Sequence, residues 1–256
     1  DTPAGDSLAL LAVNRALNGF IEWETSDRME HWINVAVWKS GPNKGRVRFV
    51  QFFMFNTQEE IPYEIQYLTA AEEIIIYSNA NHFLRSLDTG EYITKLTNLK
   101  RLTIGAYGLT TLHPDFKNLR NLEYLDLSSN NFQTIPDILT PDNFPNLHAL
   151  VMNACQRYTI YDLSNDDREN IAGLVDEAEF PERILRWNAL DTIRLSVNYL
   201  HGELPSMSSH EKWTAEEVHA CDTLPEILIG LPKVLPDTDF FAINYNRLTG
   251  ELPDWL

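Results

Sequence analysis

Apolar residues recur along the chain at fixed intervals, and the clearest copy of the pattern is the segment 121–136, NLEYLDLSSNNFQTIP. Its positions follow the template L-x-x-L-x-L-x-x-N, with Leu122, Leu125 and Leu127 ahead of Asn130. The same spacing recurs elsewhere, which indicates an internal repeat. The other copies begin at Val47, Ala71, Leu99, Leu147, Leu190 and Thr238.

The template predicts one short strand in each copy. Alternate side chains of a strand point to opposite sides, so the three apolar positions face a core and the residues between them face solvent. An asparagine at the ninth position can bond backbone groups where the chain turns off the strand. One copy cannot bury its apolar face alone, so the pattern predicts stacked copies.

The spacing of the copies is uneven. Consecutive copies begin 24, 28, 23, 25, 43 and 48 residues apart. The last two steps predict either inserted segments, near 156–187 and 206–234, or a degenerate copy hidden in each gap. Both inserts favour short helices, one N-capped by Ser164 and one with a capping box formed by Thr214 and Glu217.

The repeats resemble the leucine-rich repeat family, and in particular its plant-type class, whose units continue after the asparagine as L-x-G-x-(I/L)-P. The segments NYLHGELP at 198–205 and NRLTGELP at 246–253 carry this continuation. The resemblance implies an α/β fold, a curved leucine-rich-repeat solenoid with short parallel strands on its concave face and an irregular or helical convex side. It also implies repeats over residues 46–256, about seven in number, and because the sequence stops inside a repeat we expect a missing C-terminal cap.

Residues 1–45 fit a helical N-terminal cap within this resemblance. Asp6 or Ser7 is a candidate N-cap for a helix that runs through Leu8, Leu11 and Leu17 and stops at Gly19. The segments HWINVAVW and GRVRFV resemble the run that leads into the first repeat of plant-type and bacterial surface proteins. Asn34 stands where that motif has glycine, and the flanking cysteines of the plant cap are absent. These departures favour a bacterial surface or periplasmic protein over a plant secreted receptor.

The composition of the chain limits the kinds of partner and the cellular setting that we expect. The formal net charge is −17, which repels nucleic-acid phosphates, so we expect no nucleic-acid partner. No apolar run reaches the roughly 18 residues of a membrane span, so we expect no transmembrane segment in the sequence. The two cysteines, Cys155 and Cys221, are too few for a disulfide scaffold, and whether they pair stays open.

The sequence contains no recognisable catalytic motif, so we expect neither an enzyme nor a cofactor. His210, Glu211, His219 and Cys221 lie within twelve residues, but their spacing matches no zinc motif, and we expect no metal site. Cys155 occupies the ninth position of its copy, where a buried structural thiol is expected.

The template aligns the solvent-facing residues of successive strands in three columns on the predicted concave face. Aromatic residues and arginine on a rigid surface are typical of interface hot spots. The predicted partner-binding residues form one group around the first four copies and a smaller group around the last two. They are Phe49, Phe53, Ile75, Tyr77, Arg101, Tyr124 and Asp126 in the first group and Arg194, Phe240 and Tyr245 in the second.

These observations favour a non-enzymatic recognition module of an exported bacterial protein, binding a protein or a glycan on the concave face. The expected location is extracytoplasmic, at the cell surface or in the periplasm. One alternative is a structural or self-assembly spacer of a larger surface protein, in which two copies form a homodimer. A second is an enzyme that uses the inserted helices.

Overall fold

The computed structural model describes residues 1–19, 21–55, 60–78, 87–155 and 178–256. Within these ranges the chain forms one large sheet, two small sheets, two α-helices and a set of 3₁₀ helices. The strands are β1 (Val35–Val37), β2 (Val47–Phe55), β3 (Glu73–Ser78), β4 (Leu87–Asp88), β5 (Arg101–Gly105), β6 (Leu109–Thr111), β7 (Tyr124–Asp126), β8 (Ala149–Val151), β9 (Thr192–Arg194), β10 (His201–Glu203), β11 (Phe240–Ala242) and β12 (Arg247–Thr249). The α-helices are α1 (Pro3–Ala16) and α2 (Ala215–His219). The 3₁₀ helices are Met29–His31, Tyr63–Tyr67, Ile93–Lys95, Pro114–Asn118, Glu182–Arg186 and Glu226–Leu228.

The large sheet has the order β1-β2-β3-β5-β7-β8-β9-β11. From β2 to β11 the strands are parallel, whereas β1 is antiparallel to β2. Each parallel strand comes from one copy of the sequence template. A mostly parallel sheet whose strands follow one another at the repeat step is the α/β arrangement of a leucine-rich-repeat solenoid.

The two small sheets lie where the chain leaves the strand of a repeat. Strand β4 pairs with β6, and β10 pairs with β12, both in parallel. Strands β10 and β12 belong to the segments NYLHGELP and NRLTGELP. Gly202 and Gly250 both have φ near +90° there, at 89° and 85°, a conformation that glycine adopts without strain.

In the large sheet, no strand comes between the copies that the two long steps separate. Strand β8 pairs directly with β9, and β9 pairs directly with β11. The second insert contains α2, and its predicted capping box is present: Thr214 caps the Glu217 N–H and the Glu217 side chain bonds the Thr214 N–H. The helix expected after Ser164 lies outside the described residues.

Helix α1 differs from its sequence prediction in two ways. Its N-cap is Thr2, whose hydroxyl accepts from the Gly5 N–H, because Pro3 is suited to the first helical position. The predicted caps Asp6 and Ser7 are therefore wrong. The helix also ends at Ala16, and Asn18 with φ 54°, rather than Gly19, has the left-handed conformation after it. Along the helix and its C-cap, Leu8 is 68% exposed, whereas Ala9, Leu10, Val13 and Leu17 are buried.

Asp6 instead joins α1 to the start of β2. Its carboxylate, 1% exposed, accepts from the Arg46 guanidinium at 2.8 Å and from the Val47 backbone N–H at 2.8 Å. Arg46 also donates to the Thr69 hydroxyl at 3.1 Å. A continuous apolar core runs from α1 through the stacked repeats, so the open side of the sheet stands on a rigid base.

Candidate recognition surface

The side of the large sheet that faces away from the core is called here the open face. The pairing register aligns its residues in rows across the strands, as the template predicts. The first row is Phe49, Glu73, Arg101, Tyr124, Ala149, Thr192 and Phe240, and the second is Gln51, Ile75, Thr103, Asp126, Val151, Arg194 and Ala242. Adjacent residues in a row are therefore about one strand spacing apart, roughly 4.8 Å in the hydrogen-bonding direction.

The centre of the open face holds a network of charged and aromatic side chains. The Arg101 guanidinium lies 4.2 Å from the centroid of the Tyr124 ring, and its Nε donates to Glu73 Oε1 at 3.3 Å. The Tyr124 hydroxyl donates to Asp126 Oδ2 at 3.4 Å, and Asp126 Oδ1 accepts from the Ser128 N–H at 2.8 Å. These contacts hold Arg101, Tyr124 and Asp126 in one arrangement before any partner arrives.

The Tyr124 phenol stays a neutral hydrogen-bond donor over the physiological range. Burial raises its pKa above the ordinary value for tyrosine, and the Asp126 carboxylate raises it further, while Arg101 acts in the opposite direction. A neutral tyrosine whose ring is half covered presents a large contact area with few rotamers to fix. That combination is typical of interface hot spots.

A second cation–π pair lies near the last strand of the sheet. The Arg194 guanidinium is 4.5 Å from the centroid of the Phe240 ring, on the neighbouring strand. Tyr245 lies elsewhere, because it follows β11 in the left-handed turn position with φ 57°, and its side chain is 79% exposed. The predicted group of Arg194, Phe240 and Tyr245 is therefore a pair plus a separate turn residue.

The predicted aromatic residues of the first strands differ in how far they are exposed on the open face. Phe53 packs partly against the core, and Phe49 is half-buried opposite Ala36 of the antiparallel β1. Tyr77 is 42% exposed and lies flat over Gly105, where an added Cβ would be 2.4 Å from its ring. Ile75, on the same strand as Tyr77, is half-buried. Strand β5 separates these four residues from Tyr124.

A polar ladder on the open face was not predicted from the sequence. Ser128 Oγ accepts from the Asn153 N–H, Asn153 Oδ1 accepts from the Ser196 N–H, and the Ser196 hydroxyl bonds Asn244 Oδ1 at 2.6 Å. These residues share the seventh template position. Small polar residues recurring there are the sequence signal that would have found the ladder.

The described residues contain no group of three or more His, Cys, Asp or Glu side chains that could hold a metal ion. His210 Nδ1 lies 3.3 Å from Arg186 Nη1. Cys155 and Cys221 are both thiols rather than halves of one disulfide. Hydrogen bonds from Thr223 lower the pKa of the Cys221 thiol. Cys155 is buried, and its backbone N–H donates to Asn198 Oδ1 of the following copy at 2.7 Å.

Across the described part of the chain, no helix is long and apolar enough to cross a membrane.

Comparison with known proteins agrees with the repeat architecture. Residues 121–147 match the family model described as Leucine Rich Repeat, in the segment with the clearest copy of the template. No curated protein matches the chain.

Three of the solved structures with a similar fold are plant proteins. A plant ice-binding protein is 21% identical with a TM-score of 0.57, and the match covers 98% of this chain and 82% of that one. The leucine-rich-repeat ectodomain of the Arabidopsis thaliana receptor kinase GASSHO1/SCHENGEN3 is 18% identical, with a TM-score of 0.54 and coverage of 97% and 28%. The ectodomain of the Arabidopsis receptor kinase HAESA is 15% identical, with a TM-score of 0.55 and coverage of 99% and 43%.

The chain thus spans less than half the length of either receptor ectodomain. At these identities the likeness concerns the fold. Residues 121–147 thus match the leucine-rich-repeat family model, and the parallel sheet built from repeated copies has the architecture of a leucine-rich-repeat solenoid.

Proposed function

We propose that this chain is a non-enzymatic recognition module that binds a polypeptide partner on the open face, the predicted concave face of the solenoid. The observation that carries the proposal is the preformed network of Arg101, Tyr124 and Asp126 at the centre of that face. Its members are fixed by contacts with one another and with Glu73, so binding would cost little side-chain entropy.

The charge of the open face supports a polypeptide partner. Its two rows of outward residues carry two acidic residues, Glu73 and Asp126, and two arginines, Arg101 and Arg194, on a chain whose net charge is −17. The face is therefore electrostatically distinct from the acidic average surface. Two similar ectodomains were solved as complexes, HAESA with an N-terminal extended IDA peptide hormone ligand and GASSHO1/SCHENGEN3 with CASPARIAN STRIP INTEGRITY FACTOR 2.

The proposal includes an exported, bacterial origin and a helical N-terminal cap. Export fits a recognition role outside the cytoplasm, and the bacterial origin rests on Asn34 and the missing cap cysteines. The cap comprises α1 and β1: the helix packs against the 3₁₀ helix Tyr63–Tyr67, and β1 covers the free edge of β2. Trp23 and Trp32 stack at 5.2 Å beneath this edge.

The test begins by identifying the partner with a photo-crosslinking residue placed at position 124. A matched control carries the same residue at position 67, because Tyr67 is also exposed but lies in a 3₁₀ helix away from the open face. We expect a polypeptide to be cross-linked at position 124 and absent at position 67. The purified partner then gives an affinity by calorimetry.

Substitutions decide whether the assigned residues carry the affinity. Tyr124→Ala should weaken binding by about 2 kcal/mol, roughly thirtyfold, because it removes a central aromatic anchor and frees Arg101. Tyr77→Ala should weaken it less, since part of that ring packs on Gly105. Tyr67→Ala should leave the affinity unchanged. Equal affinities for Tyr124→Ala and the unsubstituted protein would refute the site, and a dimeric mass in light scattering with no partner would favour the self-assembly role.

A further inference from the structure

A second concave surface lies along one rim of the large sheet, at the N-terminal ends of its strands. It is a cavity of about 420 Å³, called here the edge groove, and it is separate from the open face. Two rows of polar side chains and the indole of Trp38 line it. The asparagine row is Asn98, Asn121 and Asn146, and the charged row is Glu72, Lys100 and Glu123.

The asparagine row is a regular array of oriented amides. Each asparagine precedes the first apolar residue of its repeat, so the three amides follow one another at the repeat step. Each Nδ2 donates to a backbone carbonyl of the preceding repeat: Thr69 at 2.8 Å, Thr97 at 2.8 Å and Arg120 at 3.0 Å. Among the described residues, the amide oxygens of this row accept no hydrogen bond. Each amide can therefore still accept two hydrogen bonds and donate one.

The charged row offers both donors and acceptors without an excess of positive charge. Lys100 Nζ lies 3.4 Å from Glu72 Oε1, and Arg48 Nη1 lies 3.8 Å from Glu72 Oε2. Glu123 is exposed and makes no ion pair within the described residues. The two carboxylates are balanced by the Lys100 ammonium and the Arg48 guanidinium, so the groove has no net charge that would attract a polyanion.

Trp38 closes one end of the groove and supplies its aromatic surface. Its Nε1 donates to the Ala70 carbonyl at 2.9 Å, which fixes the plane of the ring. The Arg48 guanidinium lies 5.9 Å from the ring centroid. A fixed aromatic ring beside planar polar side chains can pack against an apolar C–H face while the polar groups bond hydroxyls.

The backbone at this edge is not open to an added strand. The Lys100 N–H donates to the Glu72 carbonyl at 2.8 Å, and the Glu123 N–H donates to the Lys100 carbonyl at 2.7 Å. An extended peptide that binds by strand addition needs free backbone groups, and this row of the ladder is already paired. The lining is too polar for apolar side chains to anchor in it.

From this geometry we propose that the edge groove binds an uncharged oligosaccharide that lies across successive repeats. Sugar hydroxyls both donate and accept, so they match a row of amides with vacant acceptors and a parallel row of carboxylates with one ammonium group. Trp38 receives the face of a terminal sugar ring. This site is independent of the polypeptide partner on the open face.

The proposal is tested by adding uncharged hexasaccharides of glucose, xylose and mannose to the ¹⁵N-labelled protein. The side-chain amide signals of Asn98, Asn121 and Asn146 report on the groove directly. We expect at least one hexasaccharide to shift these signals in a saturable way, while an acidic hexasaccharide of galacturonate does not. No shift with any uncharged hexasaccharide, or a shift with the acidic one alone, would overturn the proposal.

A matched pair of variants separates the groove from other surfaces. Glu123→Ala removes an exposed carboxylate of the groove, and Asp239→Ala removes one at the same template position outside it. We expect about tenfold weaker oligosaccharide binding for Glu123→Ala, because the variant loses one charge-assisted hydrogen bond. We expect no change for Asp239→Ala. Tyr124→Ala should also leave it unchanged, which distinguishes this site from the open face. Equal binding by Glu123→Ala and Asp239→Ala would refute the assignment.

Discussion

The ninth position of each repeat shows how single residues hold the stack together. Asn130 Oδ1 accepts from the backbone N–H groups of Tyr107, Gly108 and Leu109, and its Nδ2 donates to the carbonyls of Ile104 and Leu127. Asn198 and Asn246, two and three copies further on, bond the preceding copy in the same way. Each asparagine therefore satisfies the turn of the repeat before it, and Asn130 and Asn246 also bond a carbonyl of their own repeat.

This cross-repeat bonding explains how two of the three copies without the asparagine have their turns bonded. Tyr107 and Cys155 occupy the ninth position in their copies, and their backbone N–H groups donate to Asn130 and Asn198 of the following copies. The sequence predicts that asparagine bonds the turn, and it places Cys155 correctly as a buried thiol. The template alone cannot show that the bonds cross to a neighbour, because that depends on how the copies stack.

Asn130→Ala should therefore be far more costly than an ordinary asparagine substitution. The change leaves buried backbone groups without partners, so we expect the free energy of unfolding to fall by about 3–5 kcal/mol. Asn146→Ala is the control, because its exposed amide makes one backbone bond at 3.0 Å, and we expect it to cost less than about 1 kcal/mol. Urea unfolding measures both free energies, and similar midpoints for the two variants would contradict a stabilising role for the bonds that Asn130 makes to the preceding repeat.

At the scale of elements, helix α1 is joined to the sheet by one buried ion pair. The sequence predicts a helix near the N-terminus but misplaces Asp6 as its cap, since an acidic residue near a helix start fits either role. Its actual partner, Arg46, is 40 residues away in the sequence, and no local pattern indicates a pairing over that separation. The same limit applies to the open face, whose rows follow from the template but whose Arg101–Tyr124 stacking depends on side-chain rotamers.

Asp6→Ala should detach α1 from the first repeat. It leaves the buried Arg46 guanidinium with only the exposed Asp1 carboxylate, at 3.5 Å, so we expect a loss of about 3 kcal/mol in the free energy of unfolding. The double variant Asp6→Leu, Arg46→Met should recover most of that loss, because a well-packed apolar pair avoids the desolvation of charge. Calorimetric melting of the two variants measures the difference. If Asp6→Ala melts like Asp27→Ala, an exposed acidic residue of the same region, the ion pair does not anchor the helix.

At the scale of the whole molecule, the sheet continues past both long inserts. The sequence leaves open whether those steps hide a degenerate copy, because a weak copy and an insert have similar composition. The register decides between them, since Thr192 of β9 pairs with Ala149 on one side and Phe240 on the other. The inserts are therefore additions to a sheet that is already complete between β8 and β11.

Shortening the second insert tests this independence. At its base the Trp213 N–H donates to the Leu231 carbonyl at 3.0 Å, and the Gly230 N–H donates to the Trp213 carbonyl at 2.9 Å, so the chain returns to where it left. Replacing residues 214–230 by Asn-Gly, a two-residue turn suited to antiparallel neighbours, should close the insert without moving β9 or β11. We expect unchanged sheet content in circular dichroism and a loss of about 1–3 kcal/mol, from the apolar surface that the buried Val218 contributes. Binding of the polypeptide partner to the open face should also be unaffected, because Tyr124 lies on β7, away from the second insert. Loss of cooperative unfolding in the shortened chain would show instead that the insert is an integral part of the solenoid.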